Sequence, residues 1–90
     1  MAKKTAKKLN VFNNTTFTEE EIAKMQYLCG ATSNWRQREV RLFQHPTKPD
    51  MVISVGETFD HSMRVIAEET KEQWAEALNA AKHGRHYVSN

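Results

Sequence analysis

The chain reads as a small α+β domain in the order helix, three antiparallel strands, helix (αβββα), with both helices on one sheet face and a disordered basic arm in front. Three observations predict it. Between Ser62 and Lys82 the apolar period changes: Met63, Val65 and Ala67 alternate as in a half-buried strand, whereas Trp74, Ala77, Leu78 and Ala81 recur along one helix face. Thr18 with Glu21, and Thr70 with Gln73, have the spacing of capping boxes, in which a hydroxyl and a side chain three residues on satisfy N–H groups left unpaired at a helix start. Between the two boxes lie two further apolar runs, 35–43 and 51–55, separated by a loop with two prolines.

Residues 1–16 hold a lysine cluster, then Asn-Asn-Thr-Thr, with only Leu9, Val11 and Phe12 as apolar anchors, so they are expected to form a flexible basic arm. The domain spans 17–84. Phe17 and Ile22 flank the first capping box as a hydrophobic staple, and Glu19, Glu20 and Glu21 sit at the positive end of the helix dipole. Ile22, Met25 and Cys29, joined by Leu28, predict about three turns of helix, with Gly30 as its left-handed stop. In the run Trp35 to Phe43, Val40 and Leu42 are expected inward and Arg41 and Phe43 outward, with Arg36 and Arg38 near the strand's start. Met51, Ile53 and Val55 are expected inward on the next strand, ended by Gly56, and Ser62 to Ala67 forms the third. Gly84 closes the second helix, and residues 85–90 form a tail.

Ninety residues make one domain with a modest core. Cys29 is the single cysteine, which excludes an internal disulfide, and no structural zinc pattern is present. No apolar run has the length of a membrane span, and the lysine-rich start lacks the apolar segment of a signal peptide, so cytoplasm is the expected location with no membrane partner. The net charge of +2 conceals an asymmetry: Lys3, Lys4, Lys7 and Lys8 supply four of thirteen basic residues, leaving nine basic against eleven acidic in residues 9–90. General nucleic-acid binding by the body is disfavoured.

No catalytic, cofactor-binding or metal site is expected, and the protein reads as non-enzymatic. His45, His61, His83 and His86 read as exposed, since Gly84 breaks the helix that would bring His83 and His86 together. Asp60, His61 and Ser62 are the residue types of a triad, but triad members converge in space instead of standing adjacent along one segment. Cys29 on an apolar face at the negative end of a helix dipole is expected to be an inert thiol. Trp35, Arg36, Arg38 and Arg41 are the candidate partner contacts, because arginine forks and exposed aromatics are enriched in interface hot spots. Phe43, Val52, Arg64 and Ile66 join them on the sheet face expected to lie open. Lys3, Lys4, Lys7 and Lys8 are the candidate phosphate contacts.

The helix, three-strand, helix order resembles that of double-stranded-RNA-binding domains over most of residues 18–84. Glu68-Glu69-Thr70-Lys71-Glu72 stands where that family places a lysine-rich turn against phosphates. The segment Val65 to Thr70, running into an alanine-rich helix, is similar to the closing strand and helix of small phage proteins that inhibit host RNA polymerase. The expected function is therefore stoichiometric binding to a protein partner as a regulator or inhibitor. A nucleic-acid-binding module is the alternative, and a homodimer through the open sheet face is the other occupant weighed.

Overall fold

The computed structural model describes residues 8–90. Their elements are β1 (Asn10–Asn13), α1 (Glu19–Ala23), β2 (Tyr27–Ser33), β3 (Arg38–Gln44), β4 (Met51–Thr58), β5 (Met63–Thr70), α2 (Ala75–Lys82) and β6 (Tyr87–Ser89). The strands form one mixed six-stranded sheet in the order β1-β5-β4-β3-β2-β6. β2 to β5 are an antiparallel meander, while the edge strands β1 and β6 pair parallel to β5 and β2. The three-stranded αβββα arrangement expected from the sequence is thus replaced by a six-stranded α+β fold. The topological likeness to double-stranded-RNA-binding domains goes with it.

Some local signals form where the sequence places them, whereas Gly56, expected to end its strand, lies inside β4. At α1 the Thr18 hydroxyl accepts from the Glu21 N–H at 3.1 Å and the Glu21 carboxylate accepts from the Thr18 N–H at 2.9 Å. At the second box Gln73 Oε1 accepts from the Thr70 N–H at 2.8 Å and the Thr70 hydroxyl from the Gln73 N–H at 3.1 Å, but these bonds close a turn after β5 and do not cap α2, which starts at Ala75 with Trp74 as an N-cap that makes no side-chain bond. Gly84, at φ +70°, ends α2: its N–H donates to the Ala81 carbonyl and that of Arg85 to the Ala80 carbonyl. Those are the two bonds of a Schellman stop, and the left-handed backbone favours glycine there.

The first helix is much shorter than its apolar spacing predicts. It stops at Ala23, and Leu28, Cys29 and Gly30 belong to β2. Cys29, Ala31 and Ser33 alternate inward and are all buried, so a period of two coexists with the three- and four-residue spacing of Ile22, Met25 and Cys29. Pairing with β3 on one side and β6 on the other selects the strand. The small inward side chains let α2 approach closely, and the Cys29 thiol lies 3.8 Å from the Ala77 carbonyl. Burial pushes the Cys29 thiol pKa up, favouring the protonated thiol.

The two helices lie on opposite faces. Ala77 of α2 packs with Cys29, Ala31, Val40, Leu42 and Val52, with Trp74 and Leu78 against them. Ile22 of α1 packs with Ile53 and Ile66, flanked by Phe17, Met25, Phe43 and Val55. Val52 and Ile53 are consecutive on β4 and point to opposite sides, so each helix covers its own face. This corrects the placement of both helices on one side. It also corrects β4, where Val52 was expected outward: Val52, Ile53 and Ile66 are all 0% exposed. A strand covered on both faces has no polar side for alternation to reveal.

Two segments expected as arm and tail carry strands. Residues 10–13 pair with β5, extended by the bond from the Asn14 N–H to the Ile66 carbonyl, and residues 87–89 pair with β2. Both are short edge strands without an apolar period, exposed along β1 and half-exposed along β6. His45 is buried, contrary to the expectation of exposed histidines. Its Nδ1 accepts from the Thr47 and Lys48 N–H groups at 3.1 and 3.0 Å, pinning the loop between β3 and β4.

Candidate functional site

α1 is only five residues long, so it shields Ile53 and Ile66 but leaves the rest of its sheet face open. Beside it is a groove of about 550 Å3, floored by Phe43, Val55 and Ile66 and walled by Ile22 and Phe59. Phe59, 43% exposed, comes from the turn between β4 and β5. That turn is held by Asp60, whose Oδ1 accepts from the Thr58 hydroxyl at 2.8 Å, the Ser62 N–H at 3.0 Å and the Ser62 hydroxyl at 2.6 Å. Asp60, His61 and Ser62 therefore build a turn. His61 pairs not with Asp60 but with Glu57, at 2.9 Å.

Glu19, Glu39, Arg41, Glu57, His61 and Arg64 rim the groove, and Glu39 accepts from the Thr32 hydroxyl at 2.9 Å. Arg64 is clamped between Glu19 of α1 and Glu57 of β4, the latter at 3.0 Å, and Glu57 also accepts from His61. The His61 and Arg64 hydrogen bonds, in that order, hold the Glu57 carboxyl below its ordinary value, and the bond to Glu57 foremost raises the Arg64 guanidinium. Arg41 differs. It is exposed on the same face and has no hydrogen-bond or ion-pair partner among the described residues.

The lowered Glu57 value sets a sign for acid sensitivity. A carboxylate whose folded pKa lies below its unfolded one contributes stability above the unfolded value, and that contribution is lost as pH falls through the folded one. Glu57→Gln should therefore destabilise by less than about 1 kcal/mol at neutral pH, because the network is wet, and by progressively less as the pH drops below the ordinary carboxylate range. Thermal melts of both proteins across that range test it; a difference that does not shrink would place the effect elsewhere.

The residues singled out from the sequence do not form one site. Arg41, Phe43, Arg64 and Ile66 converge on the groove, Ile66 as its fully buried floor. Val52 is on the opposite face inside the core. Trp35 and Arg36 are not on the strand but in the turn between β2 and β3, which closes with the Gln37 N–H on the Asn34 carbonyl at 3.1 Å. They line a separate cleft toward α2, and Arg38 lines a small cavity next to it, its buried Nε without a partner among the described residues. Lys8 is exposed, and Lys3, Lys4 and Lys7 lie outside the described residues.

Sequence reasoning missed Ile22, Val55 and Phe59 as lining of the groove. An aromatic in a turn, outside any period, was the available signal for Phe59. Among the described residues no group of three His, Cys, Asp or Glu side chains is placed to hold a metal ion, and no helix is long and apolar enough to cross a membrane. Fold and site together define a small α+β protein with one half-covered sheet face. No family model matches the chain, and no curated protein or solved structure is significantly similar to it.

Proposed function

We propose that the protein is a non-catalytic module that binds a partner protein at the groove beside α1, regulating or inhibiting that partner by occupying its surface. The observation that carries this reading is the pairing of an apolar groove with an unpaired guanidinium at its edge. A cleft of about 550 Å3 admits one or two apolar side chains, and Arg41 is free to meet a carboxylate while Arg64 is held by its own two acids. The fitting ligand is a peptide segment with a large apolar residue close in sequence to Asp or Glu. Arginine beside aromatic surface is also the composition of interface hot spots.

Selection of peptides from a random-sequence display library against the purified protein tests this. The wild type should enrich segments joining an apolar residue to an acid, and their binding should shift the NMR signals of Phe43, Phe59 and Ile66. Arg41→Glu should weaken those peptides about tenfold or more, the scale for reversing a charge beside a partly desolvated contact, with the thermal midpoint nearly unchanged because Arg41 is exposed. Enrichment of basic sequences, or shifts away from the groove, would overturn the reading.

A further inference from the structure

Between the β2–β3 turn and the start of α2 lies a second, larger cleft, of about 640 Å3. Its walls include Trp35 and Trp74, both tryptophans of the chain, together with Tyr87. Glu69, Glu72 and Glu76 face the same space. Two of these carboxylates are fastened to the aromatic walls: Glu69 accepts from the Trp74 indole N–H at 2.6 Å and Glu76 from the Tyr87 hydroxyl at 2.7 Å. The Glu76 bond also raises the Tyr87 pKa. Glu72 is exposed and its side chain has no partner among the described residues.

One aromatic wall of the cleft, Trp35, already holds a cation. The Arg36 guanidinium sits 5.3 Å from the Trp35 ring centroid, the geometry of a cation–π contact. Arg36 is the one cation among the residues lining the cleft, against three carboxylates, so the lining keeps an excess of negative charge. Aromatic faces attract cations through their quadrupole, and carboxylates fixed beside them supply planar acceptors for a guanidinium fork. The same acids repel phosphate, which disfavours a nucleic-acid contact by Trp35 and Arg36 at this cleft.

We infer that this cleft is a binding site for an arginine side chain presented by a basic segment of a partner protein, separate from the groove on the opposite face. The guanidinium stacks against the indoles while its N–H groups donate to Glu72 and to the free lone pairs of Glu69 and Glu76.

Because both indoles line the site, their N–H signals report it directly. A capped Gly/Ser nonapeptide with two arginines, titrated into the full chain, should shift the Trp35 and Trp74 indole signals. Its lysine counterpart should bind more weakly, and an acidic peptide or an oligonucleotide should leave both signals in place. Glu72→Lys should weaken the arginine peptide about tenfold, since it removes one attraction and adds one repulsion. Glu20→Lys on exposed α1 carries the same change of net charge and should leave the affinity within about twofold. Equal weakening by the two variants would reduce the effect to general attraction by an acidic body. Equal binding of the lysine peptide, unmoved indoles, or shifts induced by the oligonucleotide would each overturn the assignment.

Discussion

Val52→Asp is expected to abolish the folded state. Val52 is 0% exposed and packs with Leu42 and Ala77 beneath α2, and its register neighbour on β5 is Glu69, itself an acid. A carboxylate placed there is desolvated, unpaired and beside a like charge, a combination that costs several kcal/mol or forces protonation. Small domains rest on about 5–15 kcal/mol in total, and one of this length falls toward the lower end. Far-UV circular dichroism of the variant should show an unfolded chain, while Val52→Ala should fold with a lowered midpoint. A folded, wild-type-like Val52→Asp would mean that Val52 faces solvent and that β4 is covered on one side only.

Ile53→Ala tests the other face. Ile53 is 0% exposed and joins Ile22 and Ile66 in the cluster under α1. Its truncation should cost ~2–5 kcal/mol, the range for deleting a buried aliphatic side chain whose surroundings collapse incompletely. Ile22→Ala should be destabilising too, and the double variant should lose less than the sum, because the two side chains belong to one cluster and share its cavity. Denaturant unfolding of the three variants measures this. Strict additivity would show that α1 is not seated on Ile53, and the groove beside it would lose its wall.

These two residues also show where the sequence stopped being legible. Alternation along residues 51–55 groups Met51, Ile53 and Val55 on one side of β4, as observed, but that side is the one of Arg41 and Phe43 and not, as expected, the one of Val40 and Leu42. What alternation does not carry is that the intervening Val52 and Ser54 are buried as well. The face of β4 that carries Val52 is closed by α2, whose period is legible in the sequence but whose side of the sheet is not. Arg41, Phe43, Arg64 and Ile66 could be grouped in advance because β3 and β5 alternate cleanly across the same two faces. Val52 does not join them, because β4's register turns it to the α2 face. Trp35 and Arg36 were separated from Arg41 by the left-handed Gln37 at φ +56°, a turn position that no glycine announces.

By itself the sequence determined what short-range chemistry determines. The capping box at Thr18, the Thr70–Gln73 turn, the helix face of Ala77, Leu78 and Ala81, the glycine stop at Gly84 and the inward register of Val40 and Leu42 each depend on residues within a turn or two of one another. The tertiary structure alone decided that 27–33 is a strand, that β1 and β6 extend the sheet at its edges, and that one helix covers each face. The physical reason is that a strand's free energy lies in partners distant along the chain. Cys29, Ala31 and Ser33 fit a helix by spacing and a sheet by size, and only the hydrogen bonds of β3 and β6 and the close approach of Ala77 settle the choice.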